Sequence, residues 1–214
     1  MSIFDGVDWA RVRDHYDGRL KAHRNLVELY ENRSPVQFAR AALGEGDPAG
    51  NYSAAEHGLG FKILDINRDA ETRIFKLAGG FIALDDARSV PEMIYGADLD
   101  YLKIGVGSEI SCLVNPGVCW VANTRTIWTH LVIKHADNVA RAEEELELYR
   151  DPDATVKAEY RKWSAIHREL DHSLTRVAER GHDLATEAGI RPGELRYLWA
   201  DAIATHLYSI HHRS

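Results

Sequence analysis

Apolar residues recur at intervals of three and four along most of the chain. Such spacing places apolar side chains on one face of an α-helix. In the first segment the stripe comprises Trp9, Val12, Tyr16, Leu20, His23, Val27 and Tyr30. Alternating β-branched runs, typical of strands, are nearly absent, and even the best of them, residues 73–77, also fits a helix. The pattern predicts an all-α protein, a multi-helix bundle of about eight helices.

Capping residues and breakers predict where these helices begin and end. Helix starts are predicted at Ser34–Pro35, Ser53–Glu56, Ser89–Glu92, Asn115–Pro116, Asp153 and Arg191–Pro192, and helix ends at Leu43–Gly44 and Gly189. The stretch 44–52 is dense in breakers and forms the one clear predicted loop. We therefore expect a single helical domain over 1–214; if the chain has a seam, it lies at 44–52, with residues 1–50 as an N-terminal appendage.

Residues 116–135, treated as one helix, have no charged face. One stripe carries Val121, Arg125, Trp128, Val132 and His135, and the opposite stripe carries Trp120, Asn123, Ile127, His130, Leu131 and Lys134. Such a helix is expected to be buried on all sides, so its polar side chains need partners. They indicate either an internal hydrogen-bond network or the lining of a pocket.

The preceding predicted helix, residues 98–114, places one carboxylate among small residues. Its stripe is Leu102, Gly105, Glu109 and Cys112. A glycine inside a helix costs about 1 kcal/mol relative to alanine. Gly105 and Gly107 therefore indicate either the close approach of another helix or room for a ligand beside Glu109. Asp201, in the last predicted helix, points away from the apolar stripe and is expected at the surface unless it serves a site.

Composition restricts the partners. The chain has 26 Lys and Arg against 33 Asp and Glu, a net charge of −7, which argues against nucleic acid as a partner. No apolar run reaches the roughly 18 residues needed to span a membrane. The amino-terminal residues are acidic and mixed, unlike a signal peptide. Cys112 and Cys119 are too few for a disulfide framework, so the cytoplasm is the expected location.

Motifs for common cofactors are missing from the sequence. There is no dinucleotide fingerprint, phosphate-binding loop, serine-hydrolase elbow or His-Glu-x-x-His zinc motif. Two Glu-x-x-His matches, Glu169–His172 and Glu179–His182, lie ten residues apart in one predicted helix and so on different faces of it. A metal-dependent bundle enzyme and a non-catalytic binding module both remain alternatives.

Three segments resemble a known family: Val106–Ile110, Trp120–His130 and Tyr197–Ile203. From about residue 80 to its end, the chain resembles the C-terminal helical-bundle domain of cucumopine synthase, which condenses histidine with 2-oxoglutarate. The first 80 residues look helical and differ from the cyclophilin-like domain of larger family members. The resemblance implies a Pictet–Spengler cyclase of natural-product biosynthesis, forming a C–C bond in alkaloids such as β-carbolines. Its expected substrates are a tryptophan- or histidine-like amino acid and an aldehyde or 2-oxo acid.

The implied reaction suggests roles for named residues. It needs an acid, an anion near the iminium ion and a base, but no metal or redox cofactor. Glu109 suits the base, since burial in an apolar pocket would favour its protonated form and make it a stronger base. His130 suits the proton shuttle, with Asp201 as the next carboxylate.

The same implied reaction needs groups that bind two small molecules. Arg125 could grip an acidic group through its planar fork, and Trp120 and Trp128 could stack on the aromatic amine. Asn123, Lys134 and His135 complete the predicted substrate-binding set. A homodimer is a further expectation, because apolar positions on the first helix need cover.

Overall fold

A computed structural model describes residues 2–45, 52–56, 58–149 and 156–212. Within these ranges the backbone forms helices and no strand, which confirms the all-α prediction. The described part has eleven α-helices rather than about eight, and none of them is long and apolar enough to cross a membrane. The helices are α1 (Trp9–Glu31), α2 (Pro35–Ala42), α3 (Ser53–Glu56), α4 (Leu59–Ile66), α5 (Ala70–Ile82), α6 (Val90–Gly96), α7 (Ile104–Val114), α8 (Thr124–Lys134), α9 (Val139–Glu147), α10 (Val156–Glu187) and α11 (Arg196–His211).

Several predicted helix ends are confirmed, because they depend on local chemistry. Although no cap was predicted for α1, the Asp8 carboxylate accepts hydrogen bonds of 3.1 Å from the backbone amides two and three residues later and caps this helix. Pro35 occupies the first turn of α2. Gly44 and Gly189 follow α2 and α10 with φ values of 73° and 74°, a left-handed conformation that glycine adopts without strain. The predicted cap Asp153 lies outside the described residues.

The predicted helix over 116–135 is wrong in its first half. Asn115–Pro116 begins a turn, in which the Asn115 carbonyl accepts a 2.8 Å hydrogen bond from the Cys119 amide. The chain then runs without helix to Asn123, and the Ala122 amide donates to Ser108 Oγ at 2.8 Å. Because these amides bond outside a helix, α8 starts only at Thr124. From Thr126 to Val132 every residue of α8 is buried, as predicted.

Two other predicted starts are displaced along the chain. The helix expected from Asp98 begins at Ile104, because Asp98 and Tyr101 have φ values of 50° and 66°, which interrupt a helix. The last helix begins at Arg196, four residues beyond Pro192. The intervening amides of residues 194 and 195 donate to the Tyr16 hydroxyl at 3.0 and 3.2 Å. A side chain distant in sequence thus holds this loop outside α11.

The chain separates into two compact units. The terminal unit comprises residues 1–18 and 124–214, and the central unit comprises residues 19–123. One boundary falls inside α1 and the other just before α8, so neither coincides with the seam expected at 44–52.

In the terminal unit α10 packs against α8 and α11, and α8 also packs against α9. Its aromatic core includes Trp199, which meets the Tyr16 ring edge-on at 5.7 Å between centroids. In the central unit α7 packs against α3, α5 and α6, and α2 packs against α5. The rings of Tyr30 and Phe75 stack there at 4.7 Å. The central unit therefore has α7 as its most buried helix.

The two glycines of α7 serve different purposes. A Cβ placed on Gly107 would lie 2.6 Å from Ile94 Cδ1 and Cγ1, so this glycine permits the close approach of α6. A Cβ placed on Gly105 would meet no atom within 4 Å. The sequence left two explanations open for these glycines. Gly107 allows α6 to approach α7 closely, whereas Gly105 lies beside open space.

We predict opposite effects for alanine at these two positions. Gly107→Ala should lower the free energy of unfolding by about 1–2 kcal/mol, because overpacking against Ile94 outweighs the gain in helix propensity. Gly105→Ala should leave it unchanged or raise it by up to about 1 kcal/mol. Urea unfolding followed by circular dichroism measures both. Equal changes in the free energy of unfolding for Gly107→Ala and Gly105→Ala would contradict the different roles given to these two glycines.

Candidate functional site

The central unit buries an ion pair between α1 and α7. Nη1 of Arg19 lies 2.9 Å from Oε1 of Glu109, and the two side chains are only 1% and 3% exposed. Removing two charges from water costs several kcal/mol per ion unless each charge is well compensated. Each of the two side chains therefore compensates the buried charge of the other.

The second carboxylate oxygen of Glu109 is also bound. Its Oε2 accepts a 2.9 Å hydrogen bond from the Ser53 backbone amide. The Tyr52 ring lies across the Arg19 guanidinium, 5.4 Å from its central carbon, and adds a cation–π contact. Asn123 Nδ2 donates to Ser53 Oγ at 3.4 Å, so two predicted residues, Asn123 and Glu109, are linked through Ser53.

This arrangement corrects the expected charge state of Glu109. The sequence predicted a carboxylate alone in an apolar pocket, where burial would favour the protonated form. A guanidinium and an amide N–H both stabilise the anion instead. Glu109 is thus an ionised carboxylate in a fixed orientation. Stabilisation of the anion by these two donors makes Glu109 a weaker base than expected, although it is already in the form that accepts a proton.

Open space lies close to this carboxylate along α7. Gly105 precedes Glu109 by four residues, so both occupy the same face of the helix. The absence of any atom within 4 Å of a Cβ at Gly105 places this space about one turn from Glu109. Leu102, predicted on the same stripe, precedes the helix. The face therefore carries a buried charged group, with open space at Gly105 one turn before it.

The sequence interpretation missed Arg19, Tyr52 and Ser53. Arg19 lies three residues after Tyr16 and seven after Val12, and so on the apolar face of α1. The predicted stripe passed through Leu20, which is only half-buried, whereas Arg19 is 1% exposed. An arginine at an apolar position was the available signal. No sequence pattern connects Tyr52 or Ser53 with Glu109.

The structure divides the predicted site residues between the two units. The central unit holds Glu109, Trp120 and Asn123, and the terminal unit holds Arg125, Trp128, His130, Lys134, His135 and Asp201. Trp120 is 4% exposed and lies in the non-helical stretch before α8.

His130 contacts two residues of α10. Its Nδ1 lies 2.8 Å from Ser173 Oγ, and its Nε2 lies 3.5 Å from a carboxylate oxygen of Glu169. Burial lowers the pKa of His130, which Glu169 only partly offsets, so the imidazole is neutral at neutral pH. A neutral imidazole both donates and accepts. His130 is therefore hydrogen-bonded to the Ser173 hydroxyl through Nδ1, and its Nε2 faces Glu169, which is exposed to solvent.

Lys134 and His135 both bind Glu145 of α9, at 2.6 and 2.7 Å. Burial alone would raise the pKa of Glu145, but the hydrogen bonds from Lys134 and His135 outweigh it and lower that pKa. The Lys134 side chain is 42% exposed, so its predicted burial is wrong: α8 reaches the surface at its last turn. These two residues connect α8 to α9.

The remaining predicted residues of the terminal unit are buried to different extents. Arg125 is half-buried in the first turn of α8. Trp128 is completely buried and meets the Tyr208 ring edge-on at 5.6 Å. Asp201 is 3% exposed, which overturns its expected surface position: the face of α11 that carries it is buried like the apolar face.

Metal-ligating side chains are dispersed over the part of the chain that the structure describes. No group of three or more His, Cys, Asp or Glu residues there could hold a metal ion. Glu179 and His182 line an open cleft of about 300 Å³ above Trp199. Cys112 and Cys119 are free and buried, and burial raises the pKa of the Cys119 thiol to about 12.

Comparisons of the chain with protein-family models, with curated proteins and with solved structures find no match.

We predict that the free energy of unfolding decreases on acidification, because buried histidines remain neutral in the folded protein. Burial lowers the pKa of His167 from 6.5 to about 4, and it also lowers the pKa values of His130 and His206. The unfolded chain then takes up protons first as the pH falls below 6.5, so stability is present above that pH and is lost on acidification. For His167 alone the loss between pH 7 and pH 5 is about 2 kcal/mol.

Urea unfolding at both pH values measures this loss. His167→Leu should reduce the difference between pH 7 and pH 5 by that amount, whereas His172→Gln, at an exposed position of the same helix, should not change it. An unchanged pH dependence in His167→Leu would show that this histidine does not remain neutral in the fold.

Proposed function

We propose that this protein is a Pictet–Spengler cyclase that condenses an aromatic amino acid with an aldehyde or a 2-oxo acid. One observation carries the proposal. Glu109 is an ionised, buried carboxylate held by Arg19 and the Ser53 amide, with open space one turn away at Gly105. The resemblance of the three segments to cucumopine synthase supports the same reaction.

The reaction requires an anion that stabilises cationic intermediates and a base that removes a ring proton, and a buried carboxylate can supply both. The amine adds to the carbonyl carbon, and loss of water from the carbinolamine gives an iminium ion. The aromatic ring carbon then attacks the iminium carbon, and the new C–C bond leaves a positive charge on the ring. A base removes the proton from that ring carbon and restores aromaticity. Glu109 would stabilise both cations and accept this proton, a role typically worth about 10²–10⁴ in rate.

The other assigned roles vary in support. Arg125, half-buried at the start of α8, remains the proposed anchor for an acidic group of a substrate. His130, with Ser173 and Glu169, remains the proposed proton shuttle. Trp120 and Trp128 are buried, so stacking on an amine would require them to be uncovered.

A competing explanation is that the ion pair only stabilises the fold, as in a non-catalytic binding module. A direct assay separates the two. Purified protein is incubated with tryptophan or histidine and a panel of aldehydes and 2-oxo acids. Mass spectrometry after borohydride treatment then searches for a product whose mass is still amine plus carbonyl minus water, because reduction adds two hydrogens to an uncyclised imine and none to the cyclised product. Elemental analysis of the same protein tests the metal-dependent alternative.

We predict that Glu109→Gln lowers the rate of ring closure about 10²- to 10⁴-fold. The substitution also leaves the Arg19 guanidinium without its counter-charge, so the melting temperature should fall. The double variant Arg19→Met/Glu109→Gln removes the buried charge as well and should recover much of that stability. Rates are compared by single-turnover kinetics, well below the melting temperature of each variant.

The double variant distinguishes a catalytic role from a structural one. If Glu109 is the base, the double variant is stable but still slow. Ring closure at the parental rate in either variant would show that Glu109 is not the base, and Asp201 would be the next carboxylate to replace.

We predict that Arg125→Lys raises KM for an acidic substrate about tenfold or more while the fold survives, because lysine keeps the charge but loses the bidentate fork. Arg141→Lys, at an exposed position of α9, is the matched control and should leave KM unchanged. Steady-state kinetics with a 2-oxo acid and with an uncharged aldehyde measure the effect. A KM unaffected by Arg125→Lys for both substrates would remove Arg125 from the binding site.

A further inference from the structure

We infer that Arg19 and the Ser53 backbone amide form a clamp that positions the Glu109 carboxylate, with Arg19 as a positioning residue rather than a catalytic one. The catalytic part of this inference, that the clamp serves ring closure, rests on the proposed function. The geometry of the clamp stands independently, because each carboxylate oxygen has its own donor: Oε1 faces Arg19 at 2.9 Å and Oε2 faces the amide at 2.9 Å. Two donors on different elements fix both the charge and the rotation of the carboxylate.

A second contact between α1 and α7 helps to position the Arg19 guanidinium. One turn beyond Arg19 on α1, His23 Nδ1 lies 2.6 Å from the carbonyl oxygen of Leu113, which is one turn beyond Glu109 on α7. The two contacts repeat at the same interval along both helices. The position of the Arg19 guanidinium is therefore set by the neighbouring contact of His23 with Leu113 as well as by the attraction of the charges.

A separate element places the amide side of the clamp. The Tyr52 ring covers the guanidinium, and Tyr52 in turn packs on Gly44, where a Cβ would lie 2.7 Å from the Tyr52 Cβ. Asn123 holds the Ser53 hydroxyl at 3.4 Å. Neither a rotation of Arg19 nor a shift of Ser53 is then possible without moving a neighbour.

The other charged groups around Glu109 also favour Arg19 as the cation that positions its carboxylate. On α1 they are Arg19 and His23, and on α7 the only other titratable side chain is Cys112. The helices α5 and α6 also pack on α7, and their charged residues are half-buried or exposed: Glu71, Arg73, Lys76 and Glu92. Arg73 donates to the carbonyls of residues 97 and 98. Arg19 is thus the one fully buried cation among them.

The test titrates Glu109 directly, without turnover. Protein labelled with ¹³C at the glutamate carboxyl carbons is titrated by NMR, and the Glu109 signal is assigned by its loss in Glu109→Gln. In Arg19→Met the proton affinity of Glu109 should rise about tenfold or more, with a smaller rise in Arg19→Lys, which keeps the charge. The acid limb of the kcat profile should move to higher pH in parallel.

Two matched controls accompany the titration. Arg40→Met removes an exposed arginine 3.4 Å from Glu45 in the same unit and should leave the Glu109 titration unchanged. Ser53→Pro removes the amide donor at the first position of α3, which proline tolerates, whereas Ser53→Ala keeps the donor and loses only the hydroxyl. Proline should raise the proton affinity of Glu109 more than alanine does, because alanine keeps the amide donor and loses only the contact with Asn123.

The Ser53 pair decides the outcome if Arg19→Met does not fold. An identical Glu109 titration in the parent, Arg19→Lys and Ser53→Pro would overturn the clamp. Failure of the proposed function is a different result: shifted titrations with no cyclised product from any substrate would retain the clamp and remove the cyclase.

Discussion

The central unit depends on how a buried carboxylate is neutralised. Glu109 sits on a helix whose residues from Val106 to Val114 are all buried, where an uncompensated charge would be prohibitive. Arg19 provides the counter-charge from α1, and the Ser53 amide satisfies the second oxygen. The positions of α1, α3 and α7 are thereby tied to one group. Breaking any of these contacts affects both stability and the orientation of the carboxylate.

The same pair can stabilise the fold and support chemistry, and these uses have different energetic signatures. A buried ion pair is often replaceable by apolar residues without loss of stability, whereas removing one partner is costly. A pair retained for stability alone would thus be dispensable as a pair. A carboxylate that must accept a proton in a transition state is not dispensable, which is why the paired substitution separates the two roles.

The terminal unit uses its polar groups differently. Burial lowers the pKa values of its buried histidines His130, His167 and His206, and His130 is held by Ser173, with the exposed Glu169 carboxylate 3.5 Å from its Nε2. Lys134 and His135 are bound to Glu145 at the surface end of α8. Here hydrogen bonds and surface ion pairs replace the buried salt bridge. Neutral buried histidines make this unit sensitive to acid.

The helical class, the glycine stop at Gly189 and the burial of α8 from Thr126 to Val132 were predictable from the amino-acid pattern alone, because periodicity and capping act within a few residues. The pattern also singled out Glu109 as a carboxylate on a face of small residues. Two other features depend on the fold in three dimensions: Arg19, ninety positions away, neutralises Glu109, and the Ser108 hydroxyl keeps the chain before α8 out of a helix. Such partners are chosen by packing in three dimensions, and no local pattern along the chain records that choice.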